Sequence, residues 1–219
     1  MLCGDSVCSG GIRLVERDYL IFNEINRWKY ITGRHICDMV GFVGKRACDR
    51  RLNKLITAGY ILRDKKIMYG ISANYSLTAK GKALIGVANK KEHIRVEQIS
   101  HDIAVADTAI FFNRKFGIPY SDMLSEKQLH QRDGFGNRVH RPDFVFIKNN
   151  KEYCVEVELS LKSKDRFKKN IISNFNDYYC QVWIVPDLHT AIFKFLKEMS
   201  ENYPNIKILE LKGVKNYET

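Results

Sequence analysis

The chain has 219 residues, 45% of them hydrophobic, with 36 Lys and Arg against 25 Asp and Glu and a formal net charge of +11. That length is enough for two compact units, each with its own core. No run of about eighteen apolar residues occurs, and the opening MLCGDSVCSGG lacks the basic-then-apolar order of a secretion signal, so a cytoplasmic protein with no membrane partner is expected.

The charge is unevenly placed. Residues 1–91 hold seventeen Lys and Arg against seven acids, whereas residues 92–219 hold nineteen against eighteen. Such an asymmetry suits a polyanion-binding module joined to a nearly neutral one, because neutralising phosphates releases counterions and supplies affinity for DNA. A merely solvated basic surface is the plainer alternative. The six cysteines, at 3, 8, 37, 48, 154 and 180, form no C-x-x-C and precede no matching His pair, so reduced thiols are expected. Residues 1–14 read as a disordered leader.

In chain order, apolar density between Glu16 and Trp28 predicts a first helix that buries Tyr19, Leu20, Ile21, Phe22 and Ile25. Thr32 caps a short second helix from Gly33 to Val40, ended by Gly41. A third helix runs from Gly44 to Ala58, with Cys48, Leu52, Leu55 and Ile56 on its buried stripe and Gly59 as a left-handed stop. Strands at 60–68 and 74–78, a turn at Tyr69-Gly70 and a helix from about Thr78 complete residues 15–91. Three helices followed by a hairpin is the order of a winged helix-turn-helix. The outward side of the third helix displays Lys45, Arg46, Asp49, Arg50, Asn53 and Lys54. Arg can fork onto guanine and Asn onto adenine, so Arg46, Arg50 and Asn53, one turn apart, fit the major groove of double-stranded DNA. Arg34 near the second helix and Lys65 and Lys66 in the hairpin are expected at phosphates or the minor groove, where contacts set register.

Residues 92–219 predict a nuclease-like α/β unit, which makes the fold class α/β with two domains. A long helix from about Ile94 to Phe116 is followed by strands at 123–129, 143–148 and 152–161. A helix at 163–178, a strand at 181–185, a helix at 187–202 and a strand at 206–211 follow. Strand alternation places Glu156, Glu158, Ser160 and Lys162 on one face, near Asp143. This pattern resembles the PD-(D/E)XK nuclease superfamily, in which an Asp and an acid two residues before a Lys hold Mg²⁺ for phosphodiester hydrolysis. The resemblance implies Asp143, Glu156, Glu158 and Lys162 as the catalytic set, and Asp143, Glu156 and Glu97 as metal ligands, with His101 one turn from Glu97. It departs at the chemistry. Glu158 stands where the superfamily has Lys, and Lys162 lies about 13 Å further along an extended strand. An inactive scaffold that needs no cofactor is therefore expected. The bland alternative is a solvated acidic strand face paired with Arg141, Lys162 or Arg166.

Leu55-x3-Gly59, Ser100-His101-Asp102-Ile-Ala-Val-Ala-Asp107, Arg141-Pro142-Asp143, Glu156-Val-Glu158-Leu-Ser160 and Lys162-Ser-Lys164-x-Arg166-Phe167 together resemble the replication-relaxation family of plasmids and integrative elements. The resemblance covers most of residues 15–190. It implies a DNA-binding accessory factor at an origin of transfer or replication, with a relaxase, a replication initiator or a second copy as partner. A Mg²⁺-dependent endonuclease and a transcriptional regulator are the rival readings.

Overall fold

The computed structural model describes residues 12–65, 69–89, 94–134, 140–160 and 163–215. The chain divides into two compact units, Met1–Ile99 and Ser100–Thr219.

Unit 1 opens with α1 (Glu16–Arg27), α2 (Gly33–Met39) and α3 (Lys45–Thr57). Thr32 caps α2 by accepting the His35 N–H, as expected. Gly41 and Gly59 follow α2 and α3 with φ of 68° and 74°, the left-handed conformation that lets a chain leave a helix without a Cβ clash. On α3, Cys48, Leu52 and Leu55 are buried and Ile56 only half-buried.

The buried face of α1 differs from expectation. Tyr19 and Leu20 are 39% and 49% exposed, and the inward stripe is Asp18, Ile21, Phe22 and Ile25, spaced by three and four. Asp18 is wholly buried because Arg51 on α3 forks onto it. The guanidinium donates from Nε to Oδ1 at 2.6 Å and from Nη2 to Oδ2, and also reaches the Arg13 carbonyl at 3.0 Å. The same carboxylate accepts the Val15 N–H at 2.8 Å, at the start of α1.

After α3 the chain forms an antiparallel hairpin, β1 (Ile61–Arg63) and β2 (Tyr75–Leu77), in the register Ile61↔Leu77. Strands are predicted at 60–68 and 74–78; residues 64 and 65 are not in a strand, and 66–68 lie outside the described residues. At Asp64 the backbone N–H still donates to the Asn74 carbonyl at 2.9 Å, and the carboxylate accepts from Asn74 Nδ2 at 2.9 Å and Ser76 Oγ at 3.2 Å. Asn74, almost fully buried, also accepts the Ile31 N–H at 2.8 Å, tying the hairpin to the start of α2. Then α4 (Ala79–Leu84) begins at Thr78, which accepts the Gly81 N–H. A Cβ on Gly81 would stand 2.2 Å from the Tyr60 carbonyl oxygen, so this close approach requires glycine.

Unit 2 is a five-stranded mixed sheet with helices. Its elements are α5 (Ile99–Phe116), β3 (Met123–Ser125), α6 (Glu126–Asp133), β4 (Phe144–Lys148), β5 (Lys151–Val157), α7 (Lys164–Asp177), β6 (Cys180–Val185), α8 (Ala191–Asn202), β7 (Ile206–Glu210) and α9 (Leu211–Lys215). Strand order is β3-β4-β5-β6-β7, antiparallel from β3 to β5 and parallel from β5 to β7. Phe167, Ile171, Ile192, Leu196 and Met199 of α7 and α8 form one buried cluster with Trp183, Val185 and Ile206 of the sheet. Two parallel crossovers of one hand put both helices on the same face. Phe112 of α5 packs on the other face, against Phe144 and Phe146.

Several predictions for unit 2 need correction, among them the helix expected at 187–202, which begins at Ala191. The long helix starts at Ile99, preceded by a 3₁₀ turn at Val96–Gln98. The strand expected at 123–129 ends at Ser125, where a Ser125/Gln128 capping box starts α6. β5 ends at Val157, so Glu158 and Ser160 lie beyond the strand. A turn at Asn149-Asn150 joins β4 to β5, with φ of 52° and 58° at the two residues.

Truncating Arg51 would strand a buried carboxylate. Arg51→Ala is expected to destabilise unit 1 by about 3–5 kcal/mol, measured by urea unfolding, whereas Asp18→Leu with Arg51→Met costs much less. Equal losses in both variants would show that the ion pair is not what holds α1 to α3.

Candidate nucleic-acid interface and the acidic cluster

On α3 the side chains of Lys45, Arg46, Arg50, Asn53 and Lys54 are all exposed, while Asp49 is half-buried. Their spacing of one, four and eight residues keeps them on one side of the helix, opposite Cys48, Leu52 and Leu55. Arg34 at the start of α2 and Lys65 beyond β1 are exposed as well, with a guanidinium nitrogen of Arg34 3.1 Å from His35 Nε2. Lys66 lies outside the described residues. The exposed Arg63 on β1 belongs to the same stretch of hairpin and was not singled out from the sequence. Arg51, in the same basic run, is withdrawn by Asp18, whose hydrogen bonds raise its pKa.

In unit 2, Asp143 precedes β4 and uses both oxygens. Oδ2 accepts the Val157 N–H at 2.7 Å, and Oδ1 lies 3.4 Å from Nε2 of His101 on α5. The other imidazole nitrogen, Nδ1, is 3.3 Å from Asp102 Oδ1. Burial works against charge on His101, but the hydrogen bonds and charges of Asp102 and Asp143 outweigh it, raising the pKa to about 10.

Glu156 is not on a solvated face. It is buried on β5, and its Oε1 meets His140 Nε2 at 2.5 Å and accepts from Asn174 Nδ2 of α7 at 2.8 Å. His140 stays charged above the usual histidine range, because Glu156 prevails over the opposing effect of burial. Burial also raises Glu158, whose field is offset by the charge on His101. Arg141, one of the three partners that the alternative reading offered the acidic strand, lies 2.7 Å from Asp133. His140 and Asn174 escaped the sequence reading because their distance in sequence from Glu156 carries no periodic signal.

Glu97 is exposed on its 3₁₀ turn, and among the described residues no three His, Cys, Asp or Glu side chains are grouped to hold an ion. Mg²⁺ requires a nearly octahedral shell of oxygens. Here His101 stands against an oxygen of Asp143 and His140 against one of Glu156, so part of any such oxygen shell is already taken up by groups of the chain. Lys162 lies outside the described residues. The arrangement is a set of carboxylate–imidazole pairs that balance charge within the unit.

No family model matches the chain, and no curated protein is similar to it. Among solved structures, a MarR family protein of Mycobacterium tuberculosis, in complex with salicylic acid, is similar at 18% identity. The match covers 55% of this chain and 78% of that one, with a TM-score of 0.27. Among the described residues, no helix is long and apolar enough to cross a membrane.

A histidine raised from 6.5 to about 10 on folding stabilises the folded state fully below pH 6.5, and that contribution is lost as pH climbs through 10. The wild-type denaturation midpoint, measured from pH 6 to 10, is therefore expected to fall further than that of His101→Gln. Parallel profiles for the two would mean that His101 is not held as an imidazolium.

Proposed function

We propose that this chain is a sequence-specific double-stranded DNA-binding accessory protein of a mobile genetic element, acting at an origin of transfer or replication. The observation that carries the DNA-binding part is the single exposed face of α3 bearing Lys45, Arg46, Arg50, Asn53 and Lys54. In this reading α3 lies in the major groove, with Arg46, Arg50 and Asn53 at base edges and Lys45 and Lys54 at phosphates. Arg34 and Lys65 would add phosphate contacts from the flanking elements.

The mobile-element role rests on the resemblance to the replication-relaxation family carried by Ser100–Asp107, Arg141–Asp143 and Glu156–Ser160. In that role unit 2 is a nuclease-like scaffold that holds a relaxase, an initiator or a second copy. The pairing of His101 with Asp143 and of His140 with Glu156 favours a scaffold over a hydrolytic centre. Nicking in Mg²⁺ that Glu156→Ala abolishes would establish the endonuclease reading instead. Footprinting at the element's own promoter, with no protection at an origin, would make the protein a transcriptional regulator.

Fragments of the host element's DNA selected by the protein are expected to include the origin and to remain intact in Mg²⁺ or Mn²⁺. On a selected site, Arg50→Ala should cost about 1–3 kcal/mol and relax the base preference. Lys65→Ala should weaken all duplexes alike and lower the salt slope by about 0.9. Equal losses on every sequence from both substitutions would show that α3 does not read bases.

A further inference from the structure

Unit 2 carries a cationic and aromatic surface of its own, at the far end of β4 from Asp143. Lys148 and Lys151 are direct cross-strand partners on either side of the Asn149-Asn150 turn, an arrangement that like charges disfavour unless an anion meets them. Further along the same face of the hairpin, Phe146 and Tyr153 are also partners, their rings stacked at 4.9 Å and 5°. The row extends one way through Phe112, 5.1 Å from Phe146, to Phe116 at 5.3 Å. In the other direction Tyr179 lies 5.4 Å from Tyr153.

The two ends of this row reach solvent. Phe116 is 41% exposed and Tyr179 55% exposed. Each carries at least one lysine ammonium group over its ring. Lys151 is 3.8 Å from the Tyr179 centroid, and Lys115 and Lys148 are 5.7 and 5.9 Å from that of Phe116. Glu152, next to Lys151, projects from the opposite face and lies 3.7 Å from Arg132. Exposed rings at both ends of a lysine-lined strip match a strand that offers phosphates and unstacked bases together.

We propose that this surface binds single-stranded DNA. A nucleobase takes the open face of Tyr179 or Phe116, and the displaced ammonium moves to the neighbouring phosphate. The exchange is favourable because a lysine is held weakly over an exposed ring, whereas a stacked base is held several-fold more tightly. Duplex DNA cannot make it, since its base faces are already stacked on one another. The choice of DNA over RNA rests on the function proposed for α3; the grip on an unpaired strand does not.

The test uses the full-length protein and fluorescence anisotropy with labelled dT20, rU20 and a hairpin duplex at low ionic strength. Binding of dT20 in preference to rU20 is expected. Lys148→Ala with Lys151→Ala should weaken dT20 binding about tenfold and lower its salt slope by about 1.4, with duplex binding unchanged. Tyr179→Ala should also lose about tenfold, and Tyr179→Phe, which keeps the ring, should bind like wild type. Arg46→Ala with Arg50→Ala should abolish duplex binding and leave dT20 binding intact, which separates this surface from that of α3. The inference is overturned if dT20 is not bound, if the Lys148/Lys151 and Tyr179 variants bind it unchanged, if the Arg46/Arg50 variant loses it, or if rU20 binds more tightly.

Discussion

The presentation of the basic helix depends on one carboxylate taken out of water. Asp18 sits in the interior of unit 1 and must be compensated there, because an isolated buried charge costs several kcal/mol. Arg51 supplies two hydrogen bonds beside that of the Val15 N–H, and the fork geometry of a guanidinium permits only a narrow range of relative positions for α1 and α3. With Arg51 turned inward, the helix is held about its own axis. Lys45, Arg46, Arg50, Asn53 and Lys54 then have only solvent to face. The buried pair therefore sets the rotation of the helix that unit 1 displays, which a purely apolar stripe of Cys48, Leu52 and Leu55 would define less sharply.

The same rule governs the acidic cluster of unit 2 with a different outcome. Asp143, Glu156 and Glu158 converge near the ends of β4 and β5, where an open cluster of acids would call for a cation. Imidazoles meet that demand. His101 bridges Asp102 and Asp143, and His140 with Asn174 covers Glu156, so the charge is balanced by groups of the chain itself. The carboxylates that resemble a hydrolytic centre in sequence thus hold α5, α7 and the sheet together. Their protonation is tied to the stability of the unit.

Much of unit 1 was legible because its signals are local. Thr32, Gly41 and Gly59 mark helix ends through capping and left-handed φ, and the three-and-four spacing of Cys48, Leu52 and Leu55 defines one face. Where the signal was mixed, the reading slipped. Tyr19 and Leu20 crowd beside Ile21 and Phe22, and only the pairing of Asp18 decides which stripe turns inward. In unit 2, residues 123–129 look like a strand by apolar content, yet Ser125 and Gln128 satisfy each other's backbone donors and start a helix. At the end of the unit 1 hairpin, Asn74 also bridges to Thr32 and accepts the Ile31 N–H, contacts between residues more than forty apart in sequence that no local pattern signals.

By itself the sequence determined the helix and hairpin order of unit 1, the concentration of positive charge in residues 1–91, and the set of basic side chains on the outer side of α3. These follow from periodicity, turn residues and charge, which act over a few positions. Tertiary structure alone decided that Arg51 is spent on Asp18, that His140 and Asn174 cover Glu156, and that the lysines of the β4–β5 hairpin share a surface with Phe116 and Tyr179. Each of those outcomes joins residues far apart along the chain, and only folding brings their charges and rings within range of one another.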